Sequence, residues 1–194
     1  MGKIELDHTG SGGGITLSSD GTDLLLDGTA IGGGGAALEL YAENPSTPTA
    51  PSATGLNAVA IGSGAVALGQ DAIAMGAGAN ASTISSLAIG ILSKSSGNRS
   101  FSGPYSYAFG ADSFAAAISS NASTYGATGG NSVAIGFHAK ASGVFSTSVG
   151  YGTQSTSGNS MSFGRSSVAS GDSSLALGFG ADASGERSVA IGNS

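Results

Sequence analysis

Toward the C-terminal end, five pentapeptides recur at one fixed interval, each closing on a glycine. They are Ser132-Val133-Ala134-Ile135-Gly136, Ser146-Thr147-Ser148-Val149-Gly150, Ser160-Met161-Ser162-Phe163-Gly164, Ser174-Leu175-Ala176-Leu177-Gly178 and Ser188-Val189-Ala190-Ile191-Gly192. Related units occur earlier, at 58–62, 65–69, 72–76, 86–90 and 106–110. A fixed period constrains the fold more than any local propensity, because one repeat cannot bury its own apolar face and must stack on the next. Glycine on this period would break every helix, which excludes a helical solenoid. A disordered linker would not hold aliphatic residues in register with glycine.

Each unit has a second, weaker half: Ala139-Lys140-Ala141-Ser142-Gly143 follows Gly136, and Ala181-Asp182-Ala183-Ser184-Gly185 follows Gly178. One unit therefore reads as strand, glycine turn, shorter strand, glycine turn, which is one coil of a solenoid rising about 4.8 Å. Strand alternation puts Val133 and Ile135 on one face and Ser132 and Ala134 on the other. The expectation is that the aliphatic pairs fill the coil, with Val133, Ile135, Leu175, Leu177, Val189 and Ile191 as its core. The small residues would then lie outside, where another chain can approach closely.

Composition agrees with thin stacked layers. Glycine is 35 of 194 residues, charged residues are 9%, and tryptophan and cysteine are absent. Such a chain lacks the bulky side chains of a thick core, and without cysteine it has no disulfides or thiolate metal sites. No apolar run reaches the ~18 residues of a membrane-spanning helix. The stretch 1–20 lacks a basic region followed by an apolar one, so no secretory signal is expected there.

The net charge of −6 is carried entirely by positions 1–56. The acids Glu5, Asp7, Asp20, Asp23, Asp27, Glu39 and Glu43 face a single base, Lys3, and the remainder is balanced. An acidic chain lacks the basic footprint of a nucleic-acid binder. The split implies an acidic docking segment at 1–55, ending in a Pro-rich linker, and a roll at 56–194. Within the first segment, Ile4-Glu5-Leu6-Asp7, Ile15-Thr16-Leu17 and 22–26 read as strands with a turn at Asp20-Gly21. These are expected to form extended β-arms, with 36–43 either strand or short helix.

Two intervals between closing glycines exceed the regular one, Gly90 to Gly110 and Gly110 to Gly136. The surplus is expected to leave the coil as insertion loops at 91–106 and 115–131. Lys94, Arg99, Phe101 and Tyr105 in the first, and Asn121 and Tyr125 in the second, are the candidate ligand-contact residues, suited to sugar or protein. Either these loops bind, or they fold down over a seam between chains.

No enzymatic constellation is apparent. The two histidines, His8 and His138, have no nucleophile and orienting group beside them in sequence. Asp172, Asp182 and Glu186 could approach one another on adjacent coils as a carboxylate cluster, though acids at turns are ordinarily solvated. The glycines at 32–35 lack the Gly-Lys-Ser/Thr of a phosphate loop, and Asp20 and Asp23 lack complete calcium-loop spacing. Asn80, Asn98 and Asn121 precede x-Ser/Thr as chance provides in a Ser-rich chain. No catalytic residue, metal site or cofactor is expected.

The unit Asn131-Ser132-Val133-Ala134-Ile135-Gly136, with Ala139 and Ala141-Ser142-Gly143 after it, resembles the head repeats of trimeric autotransporter adhesins of the YadA type. The resemblance covers 57–194. It implies an all-β, left-handed parallel β-roll, assembled as a homotrimer and displayed on a surface. The opening, Gly2-Lys3-Ile4-Glu5-Leu6-Asp7-His8-Thr9-Gly10 through Ile15-Thr16-Leu17-Ser18-Ser19-Asp20-Gly21-Thr22, resembles fibre-like virion proteins of aquatic bacteriophages that carry such repeats. That likeness implies a non-enzymatic virion fibre or capsid-decoration protein. Its segment 1–55 would contact other virion proteins, and its roll would meet a glycan or protein of the host surface. It would need no secretory signal, no nucleic acid and no membrane insertion. The alternative it leaves open is the head of a bacterial adhesin.

Overall fold

The computed structural model describes residues 49–193, apart from 118 and 120–123, and the backbone of five earlier strands. His8, Asn121 and the glycine run at 32–35 lie outside the described residues. Two compact units divide the chain, Met1–Ala36 and Ala37–Ser194.

In the first unit, strands Ile4–Leu6, Ile15–Ser19, Leu24–Leu26 and Thr29–Ala30 pair antiparallel in chain order. The three expected strands are present, and with Thr29–Ala30, which was not expected, they form one four-stranded meander rather than separate arms.

The second unit is a solenoid of two parallel sheets, with no helix among the described residues. One sheet has eleven strands, mostly three residues long, running from Leu38–Leu40 through Val59–Ile61 to Val189–Ile191. The other has ten two-residue strands, from Ser52–Ala53 to Asp182–Ala183. The chain alternates between these long-strand and short-strand sheets, and each visit to both is one coil. Val133 pairs with Thr147 and Lys140 with Gln154, so the sequence period becomes the hydrogen-bonding register of the backbone.

Outgoing turns carry the chain from long to short strand, and return turns bring it back. In Gly136-Phe137-His138-Ala139 the Ala139 amide donates to the Gly136 carbonyl at 3.1 Å. In the return turn Gly143-Val144-Phe145-Ser146, Ser146 N donates to Gly143 O at 3.2 Å. The third residue of both is left-handed, with φ of 54° at His138 and 57° at Phe145, as type II turns require. At the strand ends glycine is obligatory for a second reason. Gly164 sits at φ 118°, and a Cβ added there would lie 2.6 Å from the Gly178 carbonyl oxygen of the next coil.

The coil core corrects the sequence expectation. Ser132, Ala134, Ala139 and Ala141 are fully buried, and so are Ala176, Ser162 and Ser148. Val133, Ile135 and Leu175 are only half-buried, while Leu177, Val189 and Ile191 are exposed. Small residues fill the coil and the aliphatic residues point out. Each short half-coil leaves few inward positions, and the facing sheets meet across side chains no larger than Thr153. Most buried serines satisfy their hydroxyls locally, Ser102, Ser146 and Ser167 excepted: Ser132 Oγ donates to Gly129 O at 2.6 Å, and Ser100 and Ser174 make the same bond to Gly97 and Gly171. Buried polar groups that find such partners cost little.

Segment 91–106 is not an insertion. Lys94–Ser95 pairs with Asn80–Ala81 and Phe101–Ser102 with Leu87–Ala88, so it forms a regular coil. Ser102 then pairs with Ala115, one position sooner than the regular spacing, because Ser100-Phe101-Ser102-Gly103 omits the second outward residue. The second surplus is real but shorter than 115–131. Ala108 pairs with Ala127 and Ala115 with Ala134, where the regular spacing would reach positions 122 and 129. The extra length falls in one outgoing turn, between Phe114–Ala116 and Gly126–Ala127. The roll also begins earlier than position 56, since Leu38–Leu40 pairs with Val59–Ile61.

Candidate functional site

The solenoid presents two unlike faces. On the short-strand sheet the outward positions are mixed and mostly polar: Asn80, Lys94, Tyr107, Lys140, Gln154 and Asp182, with Val66 and Val168 among them. On the long-strand sheet they form an apolar ladder, two side chains in most coils, including Val59 and Ile61, Ile73 and Met75, Leu87 and Ile89, Val133 and Ile135, Met161 and Phe163. Stacking does not bury this ladder. Met161 is 43% exposed although coils lie on both sides of it. The parallel register places like on like along the axis, and Phe101 stacks on Phe114 with centroids 4.9 Å apart.

The two turn edges differ as well. The outgoing edge carries Phe137, Tyr151, Arg165 and Phe179, one per coil. Phe137 and Tyr151 stack at 5.0 Å and 9°. The Arg165 guanidinium lies 5.5 Å from the ring centroids of both Tyr151 and Phe179. Tyr125, where the surplus turn rejoins the coil, stacks on His138 at 4.2 Å, and His138 also meets Phe137 at 3.9 Å. His138 is thus packed between rings rather than set beside a nucleophile.

The return edge is more polar. Asn57 Nδ2 donates to Asp71 at 3.0 Å. Arg99 donates through Nε and an Nη to both carboxylate oxygens of Asp112, at 2.6 and 2.7 Å. That hydrogen bond is the main cause holding the Asp112 carboxyl below its ordinary range and Arg99 above its own. Exposed apolar residues interrupt this edge at Leu56, at Ile84, and as a pair at Val144 and Phe145.

The candidate ligand-contact residues do not converge. Lys94 is on the short-strand face, 5.2 Å above the Tyr107 ring. Arg99 is on the return edge, Phe101 in the apolar ladder, and Tyr105 and Tyr125 on the outgoing edge. The stacked faces of Phe101 and Tyr125 are taken by protein neighbours, which leaves less ring surface for a sugar. Asp172 and Glu186 occupy successive return turns, but Asp182 is on the short-strand face. Glu186 is drawn to Arg187 at 3.6 Å. Among the described residues no three His, Asp or Glu side chains gather at one point. The feature that sequence reasoning missed is the outward ladder itself. Its signal was available: both halves of the unit keep a small-x-small frame, and in several weaker halves x is Lys140, Gln154 or Asp182, which must face water.

No curated protein is found to match the chain. The family model for the YadA head domain repeat (2 copies) matches residues 53–79, 127–153, 155–181 and 169–194, all within the solenoid. The roll of this chain carries YadA head domain repeats.

Proposed function

We propose that the chain is a non-enzymatic, trimeric structural protein whose roll projects from a bacteriophage virion. The observation that carries the reading is the outward apolar ladder. Burying one Val, Leu, Ile, Phe or Met side chain contributes about 1.5–3 kcal/mol. With two such positions in most coils, each half-buried or exposed, leaving the ladder in water forgoes at least as much as the ~5–15 kcal/mol stability of a typical domain. Three copies that turn their long-strand sheets toward a common axis cover it. Three is also the number that the YadA head repeats suggest.

The virion placement draws on the N-terminal segment. Its resemblance to phage fibre-like proteins and its concentration of acids suit positions 1–55 to docking on a capsid or tail protein. The roll would then stand outward as fibre or decoration, its polar short-strand sheet presented to a glycan or protein of the host surface. The head repeats favour a second reading, the head of a bacterial trimeric autotransporter adhesin. Cryo-electron microscopy of the native source particle tests the choice. Threefold sets of this chain with positions 1–55 on a capsid or tail surface are expected. The same chain in a fibre on the bacterial cell would overturn the virion reading in favour of the adhesin.

A further inference from the structure

In a ring of three parallel rolls, each long-strand sheet faces the axis. The outgoing edge of one copy must then face the return edge of the next, because a closed heterologous ring joins unlike edges. The two edges are complementary at matching heights. Return turns follow outgoing turns by half a coil, about 2.4 Å along the axis. Val144 and Phe145 therefore lie between the heights of Phe137 and Tyr151. Asp172 lies half a coil beyond Arg165.

None of these residues is fully satisfied within its own chain. Phe145 is 56% exposed and Tyr151 53%. Among the described residues no carboxylate pairs with Arg165. The Asp172 carboxylate accepts from the hydroxyl of its neighbour Ser173, at 3.1 Å, and faces no cation among the described residues.

We propose that this is a specific seam between copies: Arg165 of one copy pairs with Asp172 of the next, and Phe137 and Tyr151 pack against its Val144 and Phe145. The proposal rests on the trimer reading above and adds which edge meets which, and where. The guanidinium lies 5.5 Å from both the Tyr151 and Phe179 ring centroids, and these contacts limit the freedom it would lose on pairing with a carboxylate. A charge pair at one height locks the axial register that the repetitive ladder leaves loose, since sliding by one coil still matches apolar to apolar.

The chain has no cysteine, so the test is direct. The variant carrying both R165C and D172C is oxidised mildly and run on a denaturing, non-reducing gel beside each single variant. Native mass spectrometry of the unmodified chain accompanies it. A covalent trimer from the double variant and none from either single is expected. In a parallel series, R165D and D172R should each lower the urea midpoint of trimer dissociation, and the two together should restore it. A trimeric native mass without crosslinking or restoration overturns the seam and leaves the trimer standing. A monomeric native mass overturns both.

Discussion

Val133 and Lys140 occupy equivalent positions on the two sheets of one coil: each points outward, and each is followed by a fully buried alanine, Ala134 or Ala141. The pair defines inside and outside for the whole roll. Ala134→Leu forces a large side chain between closely spaced sheets and should cost about 1–3 kcal/mol or prevent folding. Lys140→Leu should leave the melting temperature nearly unchanged. Thermal unfolding followed by circular dichroism compares the two, and equal effects would reverse the assignment of faces.

Gly164 is the clearest backbone constraint. Gly164→Ala places a methyl against the Gly178 carbonyl at a φ of 118°. A loss of about 1–3 kcal/mol is expected from backbone strain alone, measured by urea unfolding. Gly152→Ala is the control. Gly152 is also left-handed, but the nearest atom to its added Cβ is Ser166 Oγ at 3.8 Å, so the loss there should be smaller.

Buried serines should divide into two groups. Ser132→Ala removes a hydroxyl that donates to Gly129 O at 2.6 Å and should cost about 0.5–1.5 kcal/mol. Ser146 Oγ is buried without a partner, so Ser146→Ala should be neutral or stabilising. Parallel urea titrations decide, and a larger loss at Ser146 would mean that its hydroxyl is bonded in solution.

The Arg99–Asp112 pair predicts a small acid-side dependence. The folded Asp112 carboxyl titrates below its ordinary value because Arg99 hydrogen bonds to it. Its contribution is complete above about pH 4 and lost as pH falls through the lowered folded value. Asp112→Asn should flatten that part of the stability–pH curve while leaving the neutral region little changed. The effect is modest because both side chains are substantially exposed.

The repeat period, the parallel coils and the two glycine turns were legible in the sequence, because each depends on spacing that glycine and strand alternation enforce. The inside of the coil was not. Alternation separates Val133 from Ala134 without saying which lies within, and hydrophobicity favours the wrong answer when the coil is too narrow for a branched side chain. Comparison with Lys140 in the weaker half supplies the missing information. Segment 91–106 was misread because Gly103 closes its unit early, which hid a regular coil behind an apparent insertion. The seam residues were beyond sequence reading for another reason. Arg165 and Asp172 are half a repeat apart, and only the coil geometry puts them on opposite edges at nearly one height.

In the proposed trimer the outward apolar ladder is covered by two further copies. Native mass spectrometry of the purified chain at micromolar concentration tests it most directly. A species of three times 18.4 kDa is expected, and it should fall apart when Val133, Ile135 and Met161 are changed together to aspartate. A stable, folded species of one chain mass, with the ladder open to water, would contradict it.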